Sequence, residues 1–541
     1  ENPGEKLADF VVARVLDAKP HPDADKLQVL SVDAGGDPQQ VVCGAPNART
    51  GLIGVFGPPG AYVPGSDFTL KVAAIRGVTS NGMMCSVREL ELGDAHDGII
   101  ELGDDAEGAI GVPYPDYAGL MDPVIDVSIT PNRQDCMGVR GIARDLAAAG
   151  LGTLKPLDEV YAKAGGTAPV DGEGDGPEIT IEDAQGCPAF YAQTVAGVGN
   201  CESPSWMKRR LSAIGQRPIS ALVDITNFVM IDLGRPLHVY DMAKLNGGLV
   251  ARKAKPGEQV LALNEKTYAL DDSMTVIADA AHVHDIGGIM GGEDSGVSDE
   301  TKNVLIECAY FTPEAIARTG QKLNLTSDAR QRFERGVDPA FLDEGLAIAT
   351  RLVTTYCGGT PSAITRAGNP PADARTVPFK PGLARTLGGL DIDTDAQVDI
   401  LTSLGFTVND ARDEATVPTW RRDIAGPADL VEEVVRIHGI DKVPSEPLPR
   451  PAGVAQPTAT WLQKLERKLR RAAATRGFHE AITWSFISER EAAIFGGGDW
   501  TLANPISEDM KVMRPSLLPG LLTAAQRNLD HSEESVRLFE L

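Results

Sequence analysis

Phe10-Val-Val-Ala-Arg-Val-Leu16 breaks at Pro20-His-Pro22, Leu27-Gln-Val-Leu-Ser-Val32 breaks at Gly35-Gly36, and Gln40-Val-Val-Cys43 runs into Gly44-Ala-Pro-Asn47. Runs of β-branched and aliphatic residues this short, each closed by Pro or Gly, predict strands and turns rather than helices. Pro58-Pro-Gly60 adds another turn, and no long helical period precedes residue 113, so residues 1–113 are expected to form a small barrel. Beyond them helical and strand patterns mix without a fixed repeat. The chain therefore reads as multidomain α+β.

Its 541 residues predict three to five domains, at ~100–200 residues each. With 42% hydrophobic and 23% charged residues it has the balance of a soluble globular protein. No apolar run approaches the ~18 residues of a membrane helix, so helical spanning is excluded. The 76 acidic against 51 basic residues give a net charge of −25. That field repels polyanions at long range, so a nucleic-acid contact must come from local patches or shape. Residues 1–113 follow the trend, with 8 Lys/Arg against 17 Asp/Glu. The 7 cysteines are scattered, at 43, 85, 136, 187, 201, 308 and 357, which gives neither a disulfide framework nor a CxxC zinc pattern and points to a reducing compartment. No secretory leader opens the chain, Glu1 is not an initiator, and Ser535–Leu541 stops within a strand pattern, so a fragment at both ends is expected.

Within residues 114–160, Val124–Ile129 is expected as a strand and Gly138–Gly150 as a helix. Ala162–Pro177, rich in Gly, Ala, Pro and acids, reads as a linker or a surface excursion. Over 178–369, Pro204–Ile214 and Phe341–Cys357 are predicted helices, and Val250–Lys253, Val260–Leu263, Thr275–Ala278 and Val304–Glu307 predicted strands. Residues 370–447 carry helical patterns at Thr394–Leu404 and Gly426–His438 around strands near Phe406–Val408 and Thr416–Val417. In 448–541, a helix is expected at Thr460–Arg476, and strands at Ala481–Ile487 and Val536–Leu541.

Chemistry-bearing residues concentrate in the middle. Arg217-Pro-Ile-Ser-Ala-Leu-Val-Asp-Ile-Thr-Asn-Phe228 leads into Gly234-Arg-Pro-Leu-His-Val-Tyr-Asp241. Gly287-Gly-Ile-Met-Gly-Gly292, Glu307 and Ser327-Asp-Ala-Arg330 follow. These supply an imidazole, a strand carboxylate, hydroxyl and amide donors, and bare backbone that a ligand can approach. Taken singly, a His beside Pro or a strand Glu is more often structural, and the glycines lack nucleotide-loop spacing. Ahead of the glycines, His282-Val-His-Asp-Ile286 is unusually polar for a strand. On the helix from Pro427, Asp429, Glu432, Glu433 and Arg436 share one face, opposite Leu430, Val431, Val434, Val435 and Ile437. One reading is ordinary helix electrostatics, including a Glu432–Arg436 pair. The other adds Asp423 and makes an all-oxygen site for a hard cation. Thr460–Arg476 is strongly basic, either a phosphate contact or a solvated face.

His21–Gly35, Val41–Asn47 and Ile75–Ser86, in that order, resemble the tRNA-binding OB-fold domain carried by several aminoacyl-tRNA synthetases. The order of the middle motifs resembles the B3/B4 editing domain of the bacterial phenylalanyl-tRNA synthetase beta-subunit family, and the likeness runs through nearly the whole chain. It implies an OB-fold at 1–113 and part of a split α+β domain at 114–160. It further implies an editing domain at 178–369, a winged-helix-like B5 domain at 370–447 and a truncated class II synthetase-like antiparallel sheet module at 448–541. It implies hydrolysis of tyrosine wrongly esterified to the phenylalanine tRNA. His238 would orient the terminal ribose or a water, Thr226 and Asn227 would line that end, and Gly291 would leave room for the ring. Glu307 would accept the phenol, with Ser327 and Ala329 nearby. Asp423, Asp429, Glu432 and Glu433 would bind Mg²⁺ shared with an alpha subunit. That subunit would hold the ATP-dependent synthetic site of a cytoplasmic (αβ)₂ heterotetramer. The alternative is a non-catalytic tRNA-binding scaffold.

Overall fold

The computed structural model describes residues 4–93, 95–121, 123–170, 172–449, 453 and 457–541. Chain contacts divide it into two units, Glu1–Pro444 and Ser445–Leu541.

At the start of the first unit, a five-stranded antiparallel sheet runs in the order Gln39–Cys43, Ala24–Asp33, Val11–His21, Ile53–Gly57, Met83–Met84. Side chains alternate between faces, as the strand period requires. Val12, Val55 and Cys85 enter one apolar cluster, and Ala13, Val15, Leu30 and Val41 enter another. A register shift between Val15 and Asp17 lets the long first strand bend, as a nearly closed barrel needs. Val124–Ile129, expected as a strand, joins no sheet. Ile125 is 77% exposed and Val127 47% exposed, so these apolar side chains lie on the surface rather than in a sheet. The expected helix forms at Val139–Ala148.

The middle of the unit stacks helices against two sheets around the largest core. One sheet runs His238–Asp241, Asn303–Tyr310, Ala189–Ala196, Thr360–Pro361, with Thr365–Gly368 also on Ala189–Ala196. The other runs Ile179–Ile181, Leu249–Lys253, Thr275–Ala278, Val283–Ile286, Met290–Gly291. Helix Ala221–Leu233 packs against helix Leu342–Cys357. The described residues of 162–170 and 172–177 are a surface excursion tied to this body. Gln193 donates to the Val170 carbonyl (2.9 Å), the Glu173 amide to Pro361 (2.9 Å) and Thr365 to Pro177 (2.6 Å).

Farther on, strands Arg375–Pro378, Glu414–Val417 and Thr407–Val408 form a three-stranded antiparallel sheet. Helices Thr394–Ser403 and Pro427–Gly439 close over it through Leu401, Phe406, Leu430 and Val434.

In the second unit, helix Trp461–Ala474 opens on a capping box between Thr460 and Gln463. In place of the antiparallel sheet expected here, the described residues form two separate pairs: Phe486–Ile487 with Val512–Met513, antiparallel, and His479–Glu480 with Leu538–Phe539, parallel. The predicted strand Ala481–Ile487 shrinks to its last two residues, since Ile482 (92%) and Trp484 (75%) face solvent with no strand beside them.

Candidate functional site

His238 and Glu307 stand directly opposite each other on adjacent antiparallel strands. Opposed side chains share a face with Cβ atoms ~5 Å apart, and residue 240, two positions on, shares that face too. Tyr240 accordingly lies edge-on to His238, ring centroids 4.5 Å apart. Its hydroxyl bridges two buried carboxyls, Glu307 (Oε2, 2.6 Å) and Asp285. Asp285 comes from the second sheet, where it pairs with Gly291. It accepts the Gly292 amide at 3.0 Å through the oxygen that lies 3.7 Å from His238 Nε2. That imidazole nitrogen is buried and has no hydrogen-bond partner among the described residues.

Gly291 completes the corner. A Cβ there would stand 2.4 Å from His238 Cε1, so the absent side chain makes room for the imidazole of this chain. Gly288, at φ +70°, lies against the Phe311 ring. Ser327 holds the glycine segment from outside: its hydroxyl donates to the Ile289 carbonyl (2.5 Å) and accepts the Arg330 amide (3.0 Å) as a helix cap, with half-buried Ala329 following. Thr226 and Asn227 are half-buried on helix Ala221–Leu233, which touches the His238 strand. The Thr226 hydroxyl is spent on the Val223 carbonyl of its own helix (2.7 Å).

Burial, with the Asp285 charge adding to it, raises the Glu307 carboxyl to about 8, and the Tyr240 hydroxyl only partly opposes this. Burial and the two carboxyls push the Tyr240 phenol well above its usual range. The site is thus a dry, acid-lined corner beside an imidazole with an open nitrogen. Tyr240 and Asp285 were not singled out in sequence, although the signal was there: a Tyr two residues after His238, and an acid in the polar run His282–Ile286. The structure accounts for that polarity, since His284 pairs with Asp279 at 2.8 Å and Asp285 takes the phenol.

The four acids expected to bind metal do not converge. Arg421, 2% exposed, donates to both oxygens of Asp423 (2.9 and 2.7 Å) and to Glu433 (2.6 Å). Arg436 pairs with Glu433 and with Asp145, both at 2.7 Å, rather than with Glu432, which is exposed. Asp429 accepts the Ala425 and Gly426 amides and caps its helix. Burial opposes ionisation of Glu433, but the two guanidiniums outweigh it and hold the carboxyl below its usual range. As placed, two of the four donors, Asp423 and Glu433, are already paired with guanidiniums, and the set does not fit a divalent cation. Among the described residues, three ligand atoms come within 4.8 Å of one another at Asp135, Cys136 and Asp145, where Arg133 already binds both acids.

On the barrel, the segments Val41–Asn47 and Met83–Ser86 line one cleft of about 510 Å³, with Arg88, Glu89 and His96 at its side. Small residues of these two segments therefore share one rim, to which His21–Gly35 contributes no lining residue.

Residues 10–110 match the description tRNA binding domain, 186–358 the B3/4 domain, 377–440 the tRNA synthetase B5 domain, and 447–541 the phenylalanyl tRNA synthetase beta chain CLM domain. Together with the barrel and the two-sheet body, these place the chain among the aminoacyl-tRNA synthetases. The phenylalanine–tRNA ligase beta subunit of Novosphingobium aromaticivorans is 61% identical over 100% of this chain and 67% of its own length, and that of Zymomonas mobilis subsp. mobilis 57% over the same shares. The chain belongs to the phenylalanine–tRNA ligase beta subunit family. A solved N-terminal fragment of the phenylalanyl-tRNA synthetase beta-subunit from Pyrococcus horikoshii, 15% identical over 57% of this chain and 85% of its own, has a TM-score of 0.30, too low to carry an argument.

Proposed function

We propose that this chain supplies the proofreading half of a phenylalanine–tRNA ligase, hydrolysing tyrosine esterified to the phenylalanine tRNA at the corner formed by His238 and Glu307. The observation that carries this is their direct cross-strand pairing around a buried carboxyl. Tyrosine differs from phenylalanine by one hydroxyl, which an apolar synthetic pocket rejects poorly. A buried carboxyl reverses the preference, because phenylalanine leaves the oxygen of Glu307 that Tyr240 does not meet without a partner, at a cost of about 1–3 kcal/mol. The phenol of Tyr240 on Glu307 supports the chemistry: this carboxyl already binds a phenolic hydroxyl within the fold. Hydrolysis of an activated ester needs positioning more than a strong base. The His238 nitrogen left open is suited to hold a ribose hydroxyl or the attacking water. Thr226, Asn227, Ser327 and Ala329 shape the surrounding wall, and Gly291 keeps the imidazole seated.

The synthetic site, with ATP and Mg²⁺, would lie on the alpha chain of a cytoplasmic (αβ)₂ assembly that binds tRNA. Support for a partner comes from the second unit, where Trp461, Ile482, Trp484, Trp500 and Ile506 are exposed. A Mg²⁺ at Asp423, Asp429, Glu432 and Glu433 would require Arg421 to release its two carboxylates.

The test is His238→Ala with Glu307→Ala in the assembled enzyme: tyrosyl-tRNA should accumulate while phenylalanyl-tRNA synthesis continues. Clearance at the wild-type rate would rule the site out.

A further inference from the structure

The Tyr240 hydroxyl contacts a carboxyl on each side, Glu307 and Asp285, and all three groups are buried. A phenol has one proton to give. For both contacts to be hydrogen bonds, a second proton must sit on one of the carboxyls; three groups then share two protons. The arrangement is asymmetric. Asp285 has two outlets for negative charge, the Gly292 amide at 3.0 Å and His238 Nε2 at 3.7 Å, both on the oxygen that does not meet the phenol. Glu307 has no cation within ion-pair distance among the described residues. Facing it are Tyr240 and His238 from the neighbouring strand and Asp285 from the second sheet; the Cys187 thiol lies near enough for its ionisation to be opposed by Glu307.

We propose that Asp285 is a positioning residue of this site. Through the Tyr240 hydroxyl it fixes Glu307 as the carboxyl that bears the proton, and its other oxygen, which accepts the Gly292 amide, faces the imidazole of His238 at 3.7 Å. The chain of donors then runs one way: Glu307 donates to the Tyr240 oxygen, and Tyr240 donates to Asp285. Burial of Glu307 beside the Asp285 charge works in the same sense. The group offered to a substrate phenol is therefore a neutral acid whose remaining oxygen accepts one hydrogen bond. The carboxylate that steadies the imidazole sits one residue removed from it. This assignment rests on the proofreading reading for its purpose, but its proton count can be measured without that reaction.

Infrared difference spectra of the chain across pH report protonated carboxyls, and Glu307→Gln identifies the band that belongs to this residue. In the wild type the band should persist through neutrality. In Asp285→Asn, which keeps size and removes charge, it should vanish at lower pH, since the facing charge is gone and Tyr240 is free to donate to Glu307. A band unmoved by Asp285→Asn, or one already lost in the ordinary carboxylate range in the wild type, overturns the proposal. Should Asp285→Asn fail to fold, Tyr240→Phe serves. Loss of the acceptor oxygen should raise the carbonyl frequency of the Glu307 acid, and an unchanged frequency overturns the chain of donors. In the assembled enzyme, the pH profile of tyrosyl-tRNA deacylation should move to lower pH in Asp285→Asn, a displacement that simple loss of packing would not cause. If the spectra behave as expected and wild-type enzyme leaves tyrosyl-tRNA intact, the proofreading reading fails while the proton assignment stands.

Discussion

Gly291 lacks a side chain where the His238 imidazole needs the space, and a methyl group 2.4 Å from Cε1 would force the ring aside. Gly291→Ala is therefore expected to slow tyrosyl-tRNA hydrolysis by about 10²-fold, the scale of an ångström misplacement, with the fold intact by circular dichroism. Single-turnover deacylation decides it, and a wild-type rate would detach Gly291 from the site. Glu307 makes a second prediction. Its carboxyl is raised from the usual 4.5 to about 8 in the folded chain. Between those values the unfolded chain has released a proton that the folded one keeps, so stability is highest below the window and falls as pH rises through it. Glu307→Gln cannot titrate and should flatten that slope in denaturant unfolding measured at both ends of the window. An unaltered slope would place the titrating group elsewhere.

Among the elements, helix Pro427–Gly439 shows how a sequence face and a structural face diverge. Glu433 shares its helical side with Asp429 and Glu432, yet it is 1% exposed, whereas Glu432 faces solvent. The segment holding Arg421 folds under the helix and delivers a guanidinium to Glu433 and Asp423. Arg421→Met would leave buried carboxylates facing one another without that cation, at an expected cost of about 3–5 kcal/mol. Arg421→Met with Glu433→Leu should recover a substantial part of it, because the uncompensated charge goes with its partner. Urea unfolding of the two variants measures the difference. If the single variant matches the wild type, the Arg421 pair contributes nothing. Helix Ala221–Leu233 teaches a related lesson. Leu222, Ile225, Phe228 and Val229 are all buried, but so is Asp224, while Val223 and Ile231 are only half-buried, so polarity along this helix does not mark its buried face in sequence.

For the whole molecule, the two units differ in what they bury. Among the described residues, the first contains four apolar clusters, whereas the second has one, formed by Ile487, Ala492 and Val512. A core that small offsets little of the ordering entropy of about a hundred residues. Differential scanning calorimetry of the chain without a partner should show a weak early transition from 445–541 and a later one from the first unit, with truncation at residue 444 removing only the first. One cooperative transition would contradict this. Addition of an alpha chain that covers Trp461, Trp484 and Ile506 should raise the early transition, by mass action.

Sequence by itself was enough for the family and for many of the strand- and helix-forming runs. Short runs closed by Pro and Gly predict strands, amphipathic runs predict helices, and motif order carries the resemblance to the family. These are local properties, written in neighbouring residues. Tertiary structure alone decided which of those residues meet. Glu307 and His238 are neighbours only because two strands pair in one register, and Asp285 joins them only because a second sheet packs on that face. Ile125 and Val127 stay exposed and Arg421 claims two of the expected metal ligands for the same reason: burial and neutralisation depend on groups distant in the chain, whose placement no local pattern records.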